Sequence, residues 1–311
     1  MKLLKTQVIV NPESDKGRTG KRWKQIKEAL RTFLKEFKLE FTERPFQATE
    51  ISRAAIKEGT ELIVGVGGDG TMNEIANGFY EGRKLINPQT VLGIVPSGSG
   101  CDFIKSLSIP MNLISALKVI IQAPSSLIDI GKVRFKNHAG EDEERYFLNV
   151  ADFGIGGEVV RRVNESRMKR KASSYLKCLI STIIYYRNKR VKIKIDDKEL
   201  APDDYLIGAI SNGGVFGKGM KIAPQAKLDD GLFDVVLIRG MKLMDFFKNV
   251  WKIYVGTHLS HPKISLIRGK KIEAIPLGLD EALIELDGEQ LGKLPAIFEI
   301  IQRNFLVKGY I

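Results

Sequence analysis

Short apolar runs alternate with amphipathic stretches through the first third of the chain. Val8-Ile9-Val10, closed by Asn11-Pro12, predicts a buried strand, and a basic amphipathic stretch follows over 18–37. Glu40-Phe41-Thr42 predicts a second strand, 49–57 a helix stopped by Gly59, and 62–66 a third strand. A glycine-rich turn leads into a helix through Ala76, and 91–95 predicts a fourth strand. Strands alternating with helices imply βαβ units and a parallel sheet.

Past Pro124 the pattern changes. Strands are predicted over 128–135, 146–150, 191–195, 206–210, 233–238, 264–267 and 283–286, with helical spacing only over 174–186 and 243–255. This arrangement predicts a second, mainly antiparallel, sandwich-like domain. Gln122-Ala123-Pro124-Ser125-Ser126 is the expected linker, which divides the chain into an α/β domain over 1–124 and a β-sandwich domain over 125–298.

Composition narrows the function classes. The chain has 311 residues, 43% hydrophobic and 28% charged, as in a globular protein with real cores. Its formal net charge of +12 points to anionic partners: nucleic acid, an acidic membrane surface or a polyphosphate substrate. Two cysteines, Cys101 and Cys178, make neither a disulfide framework nor a zinc ligand set, and imply a reducing cytosol. The N-terminus does not read as a signal peptide, and no apolar run is long enough to span a bilayer. A cytoplasmic protein is expected, reaching any membrane peripherally.

The excess charge is concentrated. Between Arg161 and Lys194 stand twelve Lys or Arg against one acid, Glu165. Apolar residues at 176, 179, 180, 183 and 184 keep helical spacing within that stretch. It reads as a core-facing helix with solvated basic flanks or as a surface that docks on anionic lipid. Nucleic acid lacks a recognised motif here and is not expected as a partner. His258 and His261 form HxxH without a third ligand, which predicts a surface loop, and Cys178 reads as a core residue.

Gly65-Val66-Gly67-Gly68-Asp69-Gly70-Thr71 lies between a predicted strand and a helix. Glycines there let backbone N–H groups approach phosphate oxygens, and the helix N-terminus adds a positive end. The dinucleotide fingerprint wants an acid at the end of the next strand, but 91–95 runs into Pro96-Ser97; a Walker A motif is also absent. Asp69 has no evident packing role among the glycines. Beside phosphate it implies an intervening Mg²⁺.

Gly67-Gly68-Asp69-Gly70-Thr71 with Asn73-Glu74 resembles the signature of the diacylglycerol kinase catalytic family, which includes bacterial lipid kinases, sphingosine kinases and ceramide kinases. The resemblance continues in order along the chain, through Asn11-Pro12, Thr42-Glu43-Arg44-Pro45 and Gly93-Ile94-Val95-Pro96-Ser97-Gly98-Ser99. Asn149-Val150-Ala151-Asp152-Phe153-Gly154, Asn212-Gly213-Gly214, the string from Lys221 to Leu232 and Asp287-Gly288-Glu289 complete it. Cys101 departs from the pattern, standing where bacterial diacylglycerol kinases usually carry Asn.

The resemblance implies an ATP- and Mg²⁺-dependent kinase acting on a membrane lipid hydroxyl, with a diacylglycerol-like substrate favoured. It implies a nucleotide site at Asn11, Pro12, Thr42, Gly67, Gly68, Asp69, Gly70, Thr71, Asn73, Glu74 and Ser99. A Mg²⁺ would take the Asp230 side chain and the carbonyls of Lys227 and Leu232, with Asp129 linked to Asp69 through metal and water. Asp229-Asp230-Gly231 and Asp287-Gly288-Glu289 read equally as simple turns. Of the last, the resemblance makes Glu289 the proton acceptor and Asp287 its rival. It further implies a homodimer, and a C-terminal segment, about 299–311, packed back on the first domain. An NAD kinase, which shares the glycine loop, and a lipid-binding module without turnover are the competing readings.

Overall fold

The computed structural model describes residues 4–165, 181–241, 243–278 and 280–311. The chain divides into two compact units: Met1–Ile130 with Leu228–Asp230 and Gln302–Ile311, and Gly131–Lys227 with Gly231–Ile301. These divisions differ from the sequence-based boundaries at 124 and 298. The strands Ser125–Asn137 and Glu289–Lys308 run unbroken through both transitions, so no loop marks them.

In the first unit the chain runs β1 (Thr6–Val10), α1 (Ser14–Lys21), α2 (Trp23–Leu34), β2 (Lys38–Phe41), α3 (Gln47–Lys57), β3 (Leu62–Gly67) and α4 (Asp69–Gly78). There follow β4 (Tyr80–Glu81), β5 (Lys84–Leu85), β6 (Val91–Pro96), α5 (Phe103–Ser106), α6 (Leu113–Gln122) and the start of β7 (Ser125–Asn137). The sheet order is β2-β1-β3-β6, all parallel, and Val307 of the returning C-terminal strand pairs in parallel with Leu92. β1 and β3 are buried along their whole lengths, as parallel strands covered by helices on both faces must be. Ile26, Leu30 and Leu34 recur one turn apart on α2, and pack with Leu117 and Ile120 of α6 over Val8, Val10, Val64 and Val66. Asn112 caps α6, its Oδ1 accepting the Ser115 N–H at 3.1 Å.

The second unit takes β7 onward into β8 (Asp142–Phe147), β9 (Val150–Gly154), α7 (Ile155–Glu165), β10 (Lys189–Ile195), β11 (Lys198–Glu199), β12 (Asp203–Ser211) and β13 (Phe233–Arg239). The helix Leu243–Val255, a 3₁₀ turn at His258–Ser260, β14 (Ile264–Gly269), β15 (Lys271–Pro276), β16 (Leu283–Leu286) and β17 (Glu289–Lys308) complete it. Its strand order is β11-β10-β12-β9-β16-β17, with β13 between β12 and β14 and with β15 between β10 and β17. The registers among β9, β10, β12, β13, β15, β16 and β17 are antiparallel. One core holds Phe147 stacked on Phe233 with ring centroids 5.6 Å apart, together with Phe153 and Phe298. A second core gathers Val150, Ala209, Ile222 and Val236, with Tyr186 and Ile253 packed against it.

Several expectations change. The strand predicted over 146–150 is two strands, because the N–H groups of Leu148 and Asn149 turn to the Asp287 carboxylate instead of a ladder. The helical spacing over 174–186 lies largely outside the described residues, as do Lys169, Arg170, Lys171 and Cys178; the helix ends over 181–185. His258 is buried, not on a surface loop, with its Nε2 3.0 Å from the Ile222 carbonyl oxygen, and burial lowers its pKa. Among the described residues no helix is long and apolar enough to cross a membrane.

Candidate functional site

In the first unit two glycine loops lie backbone against backbone. One links β3 to α4 through Gly67 and Gly68; the other follows β6 through Ser97, Gly98 and Ser99. Ser97 N–H donates to the Gly67 carbonyl at 2.8 Å. A Cβ on Gly98 would lie 2.6 Å from the Gly68 Cα, and one on Gly67 would lie 2.6 Å from Thr71 Oγ1. Only glycine fits, and the surface left is backbone at the N-terminus of α4, where Asp69, Gly70 and Thr71 form the first turn. Ser99 is exposed.

Side chains fix this arrangement. Asn11, just beyond β1, donates from Nδ2 to Thr71 Oγ1 at 3.0 Å. The Pro12 carbonyl accepts the Gly20 N–H at 3.0 Å. Ser14 Oγ and Thr19 Oγ1 both donate to the Ser97 carbonyl, at 2.6 and 3.0 Å. Thr42 is buried at the end of β2, its N–H donating to Val10 O at 2.9 Å. Ser14 and Thr19 stand in none of the motifs that carry the resemblance, and Ser97, though within the Gly93–Ser99 string, is not singled out there as a site residue.

Three of the expected nucleotide-site residues also make structural bonds. Asp69 does have a structural role. Its carboxylate accepts the N–H groups of Asp102 at 2.8 Å and Phe103 at 3.2 Å, tying the second loop and the start of α5 to the first. Asn73 accepts from Asn77 Nδ2 inside α4. Glu74 Oε2 accepts the Ala48 N–H at 3.2 Å, in the first turn of α3. Asn73 thus bonds within α4, and Glu74 ties α4 to the start of α3. Cys101 is buried with φ 49°, a backbone state that suits Asn better. Desolvation, aided by the Asp69 charge, pushes its thiol up to about 12, so it stays neutral and inert.

Asp129 is fully buried. Its N–H donates to Leu228 O at 2.5 Å, and its Oδ1 accepts the Arg303 N–H at 2.7 Å, gathering the first unit's three chain segments. Asp230 is half-buried in the turn that follows Leu228, before Gly231 at φ 73°. Lys227 and Leu232 flank this turn in sequence but fall in the second unit. Among the described residues no group of three His, Cys, Asp or Glu side chains could hold a metal. A cation here would take the Asp230 carboxylate and backbone carbonyls, hard oxygen donors of the kind Mg²⁺ prefers.

In the second unit Asp287 and Gly288 make the β16–β17 hairpin, with φ of 48° and 95°. The Asp287 carboxylate accepts the N–H groups of Leu148, Asn149 and Val150 at 2.8, 3.0 and 3.1 Å. Glu289 opens β17 opposite Leu286 and is half-buried. One strand inward, Asp152 on β9 faces Glu285 on β16 as a cross-strand pair. The Asp152 carboxylate sits where a side chain on Gly156 would be: a Cβ there would lie 2.4 Å from both oxygens. Desolvation and the neighbouring Glu285 charge raise the Asp152 pKa well above the ordinary carboxylate range. Desolvation of the Glu285 carboxyl, with the Asp287 charge nearby, pushes it up to about 7, although the residue as a whole is only half-buried. Desolvation and the charges of Asp152 and Glu158 also raise the Tyr186 hydroxyl. The sequence signal for this pair is an acid on each of two apolar strands, at 152 and 285.

A parallel α/β unit with paired glycine loops and a β-sandwich unit carrying a buried acid cluster define a two-domain kinase-like protein. The model of the diacylglycerol kinase catalytic domain matches residues 5–133, and that of the YegS C-terminal NAD kinase beta sandwich-like domain matches 149–307. A diacylglycerol kinase of Staphylococcus aureus (strain JH9) is 30% identical over 272 residues, covering 85% of this chain and 79% of that protein. One from Staphylococcus haemolyticus is 28% identical over 310 residues, covering 97% and 87%. A crystal structure of a diacylglycerol kinase from Bacillus anthracis shares the fold, with a TM-score of 0.70 at 20% identity over 99% of this chain and 98% of that one. Yeast NADH kinase is similar at a TM-score of 0.53 and 13% identity, covering 100% and 85%. The chain belongs to the diacylglycerol kinase catalytic family, and as a member it is an enzyme of the lipid kinase class.

Proposed function

We propose that the chain transfers the γ-phosphate of ATP to the hydroxyl of a membrane lipid, with a diacylglycerol-like acceptor favoured. The observation that carries this reading is the pair of glycine loops, pressed so closely that a Cβ on Gly98 would lie 2.6 Å from the Gly68 Cα. Such a backbone surface at a helix N-terminus suits phosphate oxygens. Asn11, Thr71 and Asp69 hold its shape through the bonds described above. Bound Mg²⁺ supplies neutralisation of the phosphate charge. Phosphoryl transfer then depends mainly on positioning and on a group that takes the acceptor's proton.

Glu289 is the better proton acceptor. Its rival Asp287 is committed to three backbone N–H groups and cannot move without breaking them. The enzyme works at the cytoplasmic face of a membrane as a peripheral protein, with no role for nucleic acid.

A transfer assay with γ-labelled ATP and Mg²⁺ tests this reading over a panel of lipids in mixed micelles, with NAD as a soluble acceptor. Label is expected in diacylglycerol or a related lipid and not in NAD. Label in NAD alone would make the protein a soluble-substrate kinase; label in neither would remove the proposal.

A further inference from the structure

Exposed apolar side chains are ordinary when they stand singly. In the second unit they do not. Trp251, Tyr254 and Val255 are 57%, 50% and 54% exposed. Together with Lys248 they follow the i, i+3, i+6, i+7 spacing of one face of the helix Leu243–Val255. Ile184 and Tyr185 are 49% and 74% exposed beside Tyr186. Tyr186 and Ile253 pack against the same core of Val150, Ala209 and Ile222, so both segments cover that core.

Positive charge surrounds these exposed side chains. Lys248 and Lys252 lie on the helix, and the Lys221 Cδ lies 3.7 Å from where a Cβ on Gly256, just past its end, would stand. Arg187 follows Tyr186 in sequence. Among the described residues none of these four forms an ion pair, and Asp245 is the one acid on the helix. Most other described cations of the basic stretch over 161–194 are paired. There Arg161 and Arg162 pair with Glu158, Lys189 with Asp280, Arg190 with Asp204 and Lys192 with Glu199.

We propose that the exposed face of the helix Leu243–Val255, with Ile184 and Tyr185, is the surface on which the second unit docks to an anionic phospholipid bilayer. The lipid kinase reading supplies only the reason for meeting a bilayer; the surface itself rests on exposure and charge. Trp and Tyr favour the headgroup level, where an apolar ring and a polar tip are both accommodated. Lysines that flank them reach lipid phosphates. A second copy of the chain suits this face poorly, because a two-fold contact would set its cations against their own images.

The chain has two tryptophans, and Trp23 packs edge-on against Phe41 in the first unit. The full-length Trp23→Phe protein therefore reports on Trp251 alone. It is mixed with vesicles of phosphatidylcholine, or of phosphatidylcholine with phosphatidylglycerol, carrying brominated acyl chains. Emission should shift to the blue and be quenched on the anionic vesicles, much less on the neutral ones. Adding Trp251→Ser and Tyr254→Ser to the wild-type chain should weaken vesicle affinity about tenfold or more. Turnover of a short-chain, water-soluble acceptor and the melting temperature should stay unchanged.

Binding to vesicles without quenching would overturn the proposal and place docking elsewhere. So would equal quenching on neutral vesicles, or a concentration-dependent blue shift in their absence, which would mean a second copy covers the face. Quenching without any lipid phosphorylation leaves docking standing and removes the kinase reading; phosphorylation without quenching does the reverse.

Discussion

Asp152 and Glu285 face one another across β9 and β16, and both bind protons more tightly than ordinary carboxyls. A group whose pKa rises on folding favours the folded state below its unfolded pKa and loses that contribution as pH climbs through the folded value. Stability should therefore fall as pH rises from the ordinary carboxylate range through about 7. Glu285→Gln removes one charge and keeps the shape, so its melting temperature should fall less over that window. Parallel melting curves for variant and wild type would show that the pair does not titrate there. Glu289→Gln should slow phosphoryl transfer about 10²–10⁴-fold while leaving nucleotide affinity unchanged, as expected for a lost proton acceptor. Single-turnover rates and ATP titration separate the two effects; if Asp287→Asn alone stops turnover in a folded protein, the roles reverse. Some of this was legible in the sequence and some was not. Asp69 stands out among glycines, but its bonds to the Asp102 and Phe103 amides depend on a loop 33 residues away. Asp152 stood in a motif string, yet only strand pairing brings it to Glu285.

Among elements, the hydrophobic pattern served best where an element stands alone. The helix Leu243–Val255 has the bounds its spacing predicts, and β3 and β6 differ from expectation only at their ends. Elements shaped by partners were harder to see. α7 starts on Ile155-Gly156-Gly157, a poor helical opening that exists because the Asp152 carboxylate needs the space above Gly156. β17 carries Gly292 and Pro295 within 20 residues, interruptions that the β15 and β16 ladders override. The two glycine loops form a unit that no single strand or helix reveals. Gly98→Ala drives a methyl group to 2.6 Å from the Gly68 Cα, and neither backbone can yield cheaply. It should cost roughly 1–3 kcal/mol of stability and abolish the rise in melting temperature that ATP confers. An undiminished ATP-dependent shift in Gly98→Ala would show that this loop contact does not build the nucleotide surface.

At the scale of the whole molecule, the first unit is not finished by the first 130 residues. Its sheet takes Val307 beside Leu92, and Phe305 lies fully buried with its ring centroid 4.8 Å from that of Phe79. The Arg303 N–H donates to Asp129, and Asn304 accepts the Tyr80 hydroxyl at 2.8 Å. The hydrophobic pattern assigns no element to 302–311, because nothing local records that its partners lie some 200 residues earlier; only the family resemblance places about 299–311 back on the first domain, as Gln302–Ile311 is found. Phe305→Ala removes a fully buried aromatic ring from that junction. It should cost about 3–5 kcal/mol, the usual range for emptying such a site. Nucleotide binding should weaken with it, since β3 and β6 end in the two glycine loops and Phe305 packs beside the end of α4, which rises from the first loop. Chemical denaturation with and without ATP measures both effects. Truncation after Ile301 should go further, leaving the first unit without its last strand and without the Asp129 bond to Arg303. If the truncated chain keeps both its cooperative unfolding and its ATP-dependent stabilisation, the first unit is complete without its C-terminal strand, and Gln302–Ile311 is no part of its folding unit.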